Sequence, residues 1–335
     1  MDFTLLTASA AFAVSAAVIV LAAISLAICG DKIASNSRFG RLWVGSILLA
    51  GTTSLPELVT TVTAVRIDAP GLSWGNILGA NMLNMATLAV MLSVFTRQTV
   101  FKIHQLEHLS IGFLLIVLTL TAIGFSYFDI QTKVAAISPA SCTIIVLFLL
   151  YSGLSQKSNS NADMNLLARE QTKVYSALAT WAWFVCSGLG ILIAAPFLAS
   201  SAQSISNHTG LSESLLGVLG LALVTTLPEL ITTATALKIK AYDLGISNML
   251  GTNAINIVIL AIADVFYSQG YLFSQINNSN LIASFITVLL TCQMIFCLYG
   301  TVRYTQKSFL HANMVIAPIL YGITLILITI LESSL

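Results

Sequence analysis

A chain of 335 residues that is 57% hydrophobic and 8% charged, with a mean hydropathy of +0.93, is too apolar for water. Soluble domains carry about 25% charged residues, so lipid is the solvent for most of this chain. A net charge of +1 gives no electrostatic basis for binding nucleic acid.

A transmembrane helix needs about 20 mostly apolar residues. In chain order, ten stretches qualify: 8–29, 42–65, 74–95, 109–127, 134–154, 175–199, 214–237, 244–267, 281–299 and 312–331. The first apolar run is longer than a signal-peptide core and no basic segment precedes it, so it reads as a retained span. The long polar connection, 155–173, divides the chain into five spans (1–154) and five spans (174–335), and reads as a cytoplasmic linker. Cys29, Cys142, Cys186, Cys292 and Cys297 lie in or beside apolar stretches without metal-ligand spacing and read as small apolar fillers.

Lys and Arg mark cytoplasmic loops. Of the fourteen in the chain, all but Arg66 and Lys133 fall in the loops after spans one, three, five, seven and nine. Those five loops are therefore expected in the cytoplasm, with both termini outside. Trp43 and Trp74 fall at span ends and are expected to be interfacial anchors.

One stretch occurs twice. GTTSLPELVTTVTAVR from Gly51 and GNILGANMLN from Gly75 return as VTTLPELITTATALK from Val224 and SNMLGTNAIN from Ser247. A shift of 172 positions superposes Pro56 on Pro228, Glu57 on Glu229 and Asn84 on Asn256 without a gap. The repeated blocks, 50–84 and 222–256, are separated by five spans, so the second enters the membrane from the opposite side. The expected fold is thus all-α and integral to the membrane. Its ten transmembrane helices form two inverted-topology five-helix repeats, with helices broken at the midplane, an architecture typical of secondary transporters.

Glu57 and Glu229 sit deep in spans two and seven. A charge at the bilayer centre costs about 2.5–3.5 kcal/mol on insertion scales, and such residues are functional by default. No Lys, Arg or His shares their depth, so a cation or a proton must offset them. Proline before each glutamate frees carbonyls of the preceding turn, around Ala50 to Thr53 and Ala222 to Thr225. Hydroxyls flank them at Thr53, Ser54, Thr225 and Thr226, and Thr60, Thr61, Thr232 and Thr233 lie one turn on. The following span adds amides: Asn76, Ala80 and Asn84 form one stripe, as do Asn248, Thr252 and Asn256, with Asn81 and Asn253 on a nearby face. This inventory is all oxygen and suits hard cations such as Ca2+.

These motifs resemble the two alpha-repeats of the sodium/calcium exchanger family within the calcium/cation antiporter superfamily, in a compact, prokaryote-like form. The family hallmarks are a G-T-S-L-P-E-L type segment and a G-N-x-x-G-S-N-x-x-[ND] type segment in each half. The resemblance implies alternating-access antiport of Ca2+ against Na+ in a cell (inner) membrane, with inorganic cations as substrates. It implies no enzymatic activity, no resident cofactor and no obligatory protein partner. By position, Glu57 and Glu229 would be the shared central ligands, joined by Asn84 and Asn256. Thr53, Ser54, Thr225, Thr226 and Thr252, with the carbonyls of Ala50 and Ala222, would form flanking sodium sites; Asn81 and Asn253 complete the candidate set. Two departures bear on the driving ion. Ala80 stands where the family often has Ser, and Asn256 where many members have Asp. Two carboxylates titrate as a coupled pair, so proton-coupled Ca2+ or Na+ exchange is the alternative.

His104-Gln105-Leu106-Glu107-His108 fits the H-x-x-E-H zinc-protease signature. It lies in a loop with no enzyme domain around it and reads as a polar helix start. A passive channel would place polar groups along a continuous pore; here they concentrate at the midplane, which favours a carrier.

Overall fold

The computed structural model describes residues 4–35, 53–95, 105–128, 137–159, 177–240, 242–304 and 308–333. Among these, the regular structure is helical, as expected for backbone that must satisfy its own polar groups in lipid. In chain order it comprises α1 (Leu5–Ser35), α2 (Leu55–Arg66), α3 (Pro70–Phe95), α4 (Gln105–Tyr127), α5 (Pro139–Asn159) and α6 (Ala177–Thr209). Then come α7 (Glu213–Leu216), a π-helical turn (Gly217–Leu221), α8 (Ala222–Lys238) and α9 (Tyr242–Phe266). A 3-10 turn (Leu272–Gln275), α10 (Asn278–Tyr304) and α11 (Ser308–Ser333) complete the order. Seven helical segments among the described residues are long and apolar enough to cross a membrane, and Pro139–Leu154 and Val315–Leu331 are shorter apolar helices. The chain is a multi-pass membrane protein. Span two is described only from Thr53 onward, and most of the 155–173 linker, Trp43 and Ala50 lie outside the described residues.

The helices segregate by burial. Trp74, Ile77, Leu78 and Met82 of α3 and Ile246, Met249, Leu250 and Ile257 of α9 are sealed inside one apolar core with α4, α5, α10 and α11. α1 and α6 pack along each other beside α2 and α8. They turn Leu6, Leu21, Leu178 and Ile193 outward at 65% exposure or more, a surface only hydrocarbon would cover. Cys29 and Cys297 are buried, while Cys142, Cys186 and Cys292 lie on exposed helix faces, and all five are free thiols.

Local structure recurs at the 172-residue interval. Ile67 and Ile239 close α2 and α8 by donating to Thr63 O (3.0 Å) and Thr235 O (3.1 Å). The next residues, Asp68 and Lys240, both take left-handed backbone, at φ 60° and 66°. Asn76 Nδ2 donates to Thr61 Oγ1 (3.0 Å), and Asn248 Nδ2 to Thr233 Oγ1 (3.1 Å).

The expectation of a break beside each proline needs correction in the second copy. α2 does begin at Leu55, with Pro56 in its first turn, where a missing N–H costs nothing. Pro228 instead lies inside a continuous α8, and the irregularity is the π turn two turns earlier.

α3 docks on that π turn backbone to backbone. A Cβ at Gly75 would lie 2.6 Å from Ser214 O and 2.9 Å from Gly217 Cα, and one at Gly79 would lie 2.6 Å from Val218 Cα. Trp74 is not the lipid anchor its position suggested. It is 1% exposed, donates from Nε1 to Leu272 O (3.1 Å) and meets Phe273 edge-on at 5.6 Å. Its indole N–H found a carbonyl in a loop distant in sequence, so the ring packs inward.

Candidate cation site

Glu57 on α2 and Glu229 on α8 are both fully buried and lie within electrostatic range of each other. Around them, the hydroxyls cross over between the repeats. Thr225 of the second copy stands beside Glu57 of the first, and Thr53 of the first stands beside Glu229 of the second. Neither approach has hydrogen-bond geometry, and all four carboxyl oxygens lack a hydrogen-bond partner among the described residues. Two buried carboxyls with no basic partner and no donor form a site poised for positive charge.

The four amides of α3 and α9 bond to one another. Asn81 Nδ2 donates to Asn253 O (3.2 Å), and Asn253 Nδ2 returns the bond to Asn81 O (3.0 Å). Asn84 Nδ2 donates to Asn253 Oδ1 (2.8 Å) and Asn256 Nδ2 to Asn81 Oδ1 (2.9 Å). This lattice ties α3 to α9 and engages the Nδ2 of all four side chains. Asn84 Oδ1 and Asn256 Oδ1 are buried and take no hydrogen bond. Asn81 and Asn253 use both amide atoms within the lattice, so they hold the other two.

The hydroxyls follow the same logic. Ser54 occupies the N-cap position of α2, where serine normally accepts from the first turn, yet it makes no capping bond and its buried Oγ has no partner among the described residues. Thr60 Oγ1 and Thr252 Oγ1 are likewise buried without partners. Thr226 donates to Ala222 O, the carbonyl whose neighbourhood Pro228 was expected to loosen. Thr225 donates to Asn76 Oδ1 (3.2 Å). Thr61 and Thr233, Thr232 and Thr63 serve helix packing: Thr61 and Thr233 accept from Asn76 and Asn248, while Thr232 and Thr63 bond back to their own helices. Ala80 is fully buried and adds no oxygen, whereas Thr252 at the equivalent place does. Buried carboxyls together with unpartnered amide and hydroxyl oxygens suit a hard cation.

A buried carboxylate and a buried imidazole lie outside this group. Asp264, 4% exposed near the end of α9, accepts from Ser141 Oγ (2.8 Å) and Leu272 N (2.7 Å), so it fastens the first turn of α5 and the 3-10 turn to α9. Its place near the end of an apolar span was visible in the sequence; its partners were not. His108, from the H-x-x-E-H stretch, bridges Asp243 (2.8 Å) and Ser247 Oγ (3.2 Å) on α9. His104 lies outside the described residues. Among the described residues no three His, Cys, Asp or Glu side chains gather as a metal site.

Comparison with known proteins gives a consistent result. The family model described as "Sodium/calcium exchanger protein" matches residues 7–155 and 179–330. An uncharacterised membrane protein of Methanocaldococcus jannaschii is 24% identical over 293 residues, covering 86% of this chain and 89% of its own. Among solved structures, the H+/Ca2+ exchanger CAX superposes with a TM-score of 0.68 at 15% identity, over 98% of this chain and 87% of its own. The sodium-calcium exchanger NCX_Mj does so at 0.59 and 18%, over 97% of this chain and 99% of its own. At such identities the likeness establishes the shared fold.

Proposed function

The chain belongs to the sodium/calcium exchanger protein family, and from that premise we propose that it exchanges Ca2+ for Na+ by alternating access at the Glu57–Glu229 site. The observation that carries this reading is the pair of fully buried carboxyls within electrostatic range of each other, together with the buried, unpartnered Oδ1 atoms of Asn84 and Asn256. Glu57, Glu229 and the Oδ1 atoms of Asn84 and Asn256 are the central ligands. Ser54, Thr225, Thr252 and the other flanking hydroxyls, Thr53 and Thr226, with the carbonyl of Ala222, serve cations at the periphery; Ala50 is assigned there by repeat position alone. Asn81 and Asn253 scaffold the ligands.

The mechanism follows from charge. An empty site with two ionised carboxylates strains the membrane interior, and a cation relieves it. α1 and α6 then move as a unit across the core and change which side has access. Their packing along each other supports movement as a pair. The core, by contrast, holds α3 so close to the π turn that a Cβ at Gly75 or Gly79 would lie within 3 Å of backbone atoms. Movement only in the neutralised state is what makes the two ion fluxes obligatory partners. The two halves, 1–154 and 174–335, are inverted repeats of five spans in a cell inner membrane, with the termini outside. The lysine and arginine distribution supports that orientation.

A proton-coupled exchange is the second reading, and Asn256 favours it. Its amide leaves two carboxylates where a third would balance more sodium. The structures that share this fold include exchangers coupled to either ion, so the fold does not choose. Counterflow in proteoliposomes does: Ca2+ uptake is measured against imposed Na+, K+ and H+ gradients in turn. Uptake driven by Na+ supports the first reading, and uptake driven by H+ alone replaces it with the second. Ca2+ flux that needs no counter-ion sinks both.

A further inference from the structure

We infer that Thr60 is a further cation ligand, one that the first repeat supplies and the second does not. The inference rests on the cation-site reading above. A threonine inside a helix often donates its hydroxyl proton to the carbonyl one turn back. Thr63, Thr119, Thr287, Thr291 and Thr324 all do so, at 2.7 to 2.9 Å. So does Thr232, the counterpart of Thr60 at the 172-residue interval, which donates to Pro228 O at 2.8 Å. The surrounding sequence is nearly the same in the two copies, LPELVTT against LPELITT, and both stretches are helical. Yet Thr60 makes no such bond to Pro56 O. It is fully buried, and its Oγ1 has no hydrogen-bond partner among the described residues. A hydroxyl sealed from bulk water and left unbonded carries a desolvation cost, which an ion or an ordered water can offset.

The neighbourhood of Thr60 favours the ion. Ser54 and Thr252, both ligands by repeat position, show the same signature of a buried hydroxyl oxygen without a partner. Thr60 lies three residues beyond Glu57 on α2, and residues so spaced are neighbours on a helix surface. Thr61, next along the chain, accepts from Asn76 of α3, whereas Val59 and Ala64 pack among residues of α1 and α6. By helical position Thr60 falls between these two directions, on the flank of the Glu57 face that borders the lipid-facing helices. A threonine oxygen carries two lone pairs and suits a hard cation. The two repeats also exchange places in what they offer. Ala80 gives the first repeat no hydroxyl where the second has Thr252, and Thr232 keeps its hydroxyl within its own helix where the first has Thr60 free. Each repeat thus contributes one such oxygen from a non-equivalent position, so the two flanks of the site are chemically distinct.

The test uses the purified full-length protein in detergent, with thermal unfolding followed while Ca2+, Na+ or K+ is added alone. A bound cation raises the midpoint by mass action, which yields a half-saturating concentration. Thr60→Val removes the hydroxyl at nearly constant shape, Thr60→Ser keeps it, and Thr232→Val makes the same change in the second copy. For at least one cation that the wild type binds, T60V should raise the half-saturating concentration by about tenfold, the scale of one polar contact. T60S and T232V should each stay within about threefold of wild type. Without any cation, T60V should unfold no earlier than the wild type, because the hydroxyl it removes has no partner to lose. Wild-type binding in T60V, an equal loss in T232V, or a T60S as weak as T60V would each overturn the assignment. A cation-free T60V that unfolds early yet binds as the wild type does would overturn it too, and give the oxygen to a buried water. If T60V does not fold, Thr60→Ala is held to the same limits. A wild type that responds to none of the cations would sink the transport reading along with it, whereas binding that ignores the Thr60 series sinks this inference only.

Discussion

Glu57 and Glu229 each carry a desolvation cost that nothing in the described structure offsets. By insertion scales the two ionised together amount to roughly 5–7 kcal/mol. Replacing either with its neutral isostere should therefore separate stability from function. Glu57→Gln and Glu229→Gln should each raise the thermal midpoint of the cation-free protein and abolish Ca2+ uptake into everted vesicles. Near-normal uptake in both variants would remove these residues from the site. Asn256 gives the complementary case. Its Nδ2 donates to Asn81 Oδ1 at 2.9 Å, so Asn256→Asp sets two acceptors against each other. Cation-free N256D should lose about 1–3 kcal/mol. If Asn256 Oδ1 is a ligand, added Ca2+ should recover more than it does in wild type. A Ca2+-induced shift in N256D no larger than that of wild type would count against Oδ1 of Asn256 as a ligand.

α3 and the turn it rests on show how an element can be fixed by what its residues lack. Gly75 and Gly79 let its backbone approach Ser214, Gly217 and Val218 to distances that no Cβ permits. These neighbours are backbone atoms and cannot rotate aside, so Gly75→Ala and Gly79→Ala should each destabilise the protein by about 1–3 kcal/mol, the cost of overpacking. At Gly251, the counterpart of Gly79, an added Cβ would meet nothing within 4 Å among the described residues. Gly251→Ala should accordingly unfold within about 0.5 kcal/mol of wild type. Equal losses in G79A and G251A, measured by denaturation in detergent, would show that the close contact with the π turn is not what holds α3.

The molecule as a whole divides into a sealed core bearing the oxygens and a pair of lipid-facing helices, α1 and α6. α6 is linked to the core at one end, where Gln203 Nε2 donates to Ile67 O at 3.1 Å. If α6 must move for access to switch, a disulfide at that point should stop turnover without touching the site. Cysteines introduced at Ile67 and Gln203, in a background lacking the five native ones, should block Ca2+ exchange when oxidised and release it on reduction. The Ca2+-induced thermal shift should persist throughout. Undiminished exchange in the fully oxidised protein would mean that α6 stays fixed to the core during the cycle.

Hydropathy and the repeated motifs are properties of the chain read in one dimension, and they sufficed for the helical membrane class and the family. They also placed Asn84 and Asn256 on the faces where their unpartnered oxygens lie. A helical period reports which residues share a face, but not which face of another helix it meets. Only docking could pair Thr225 with Glu57 and Thr53 with Glu229 across the repeats, or commit Asn81 and Asn253 to holding their neighbours. Packing likewise drew Trp74 inward, and the irregularity of the second copy lies in a π turn and not at Pro228. The direction of each hydrogen bond, and hence whether an oxygen faces the site with a proton or a lone pair, exists only once both partners are in place.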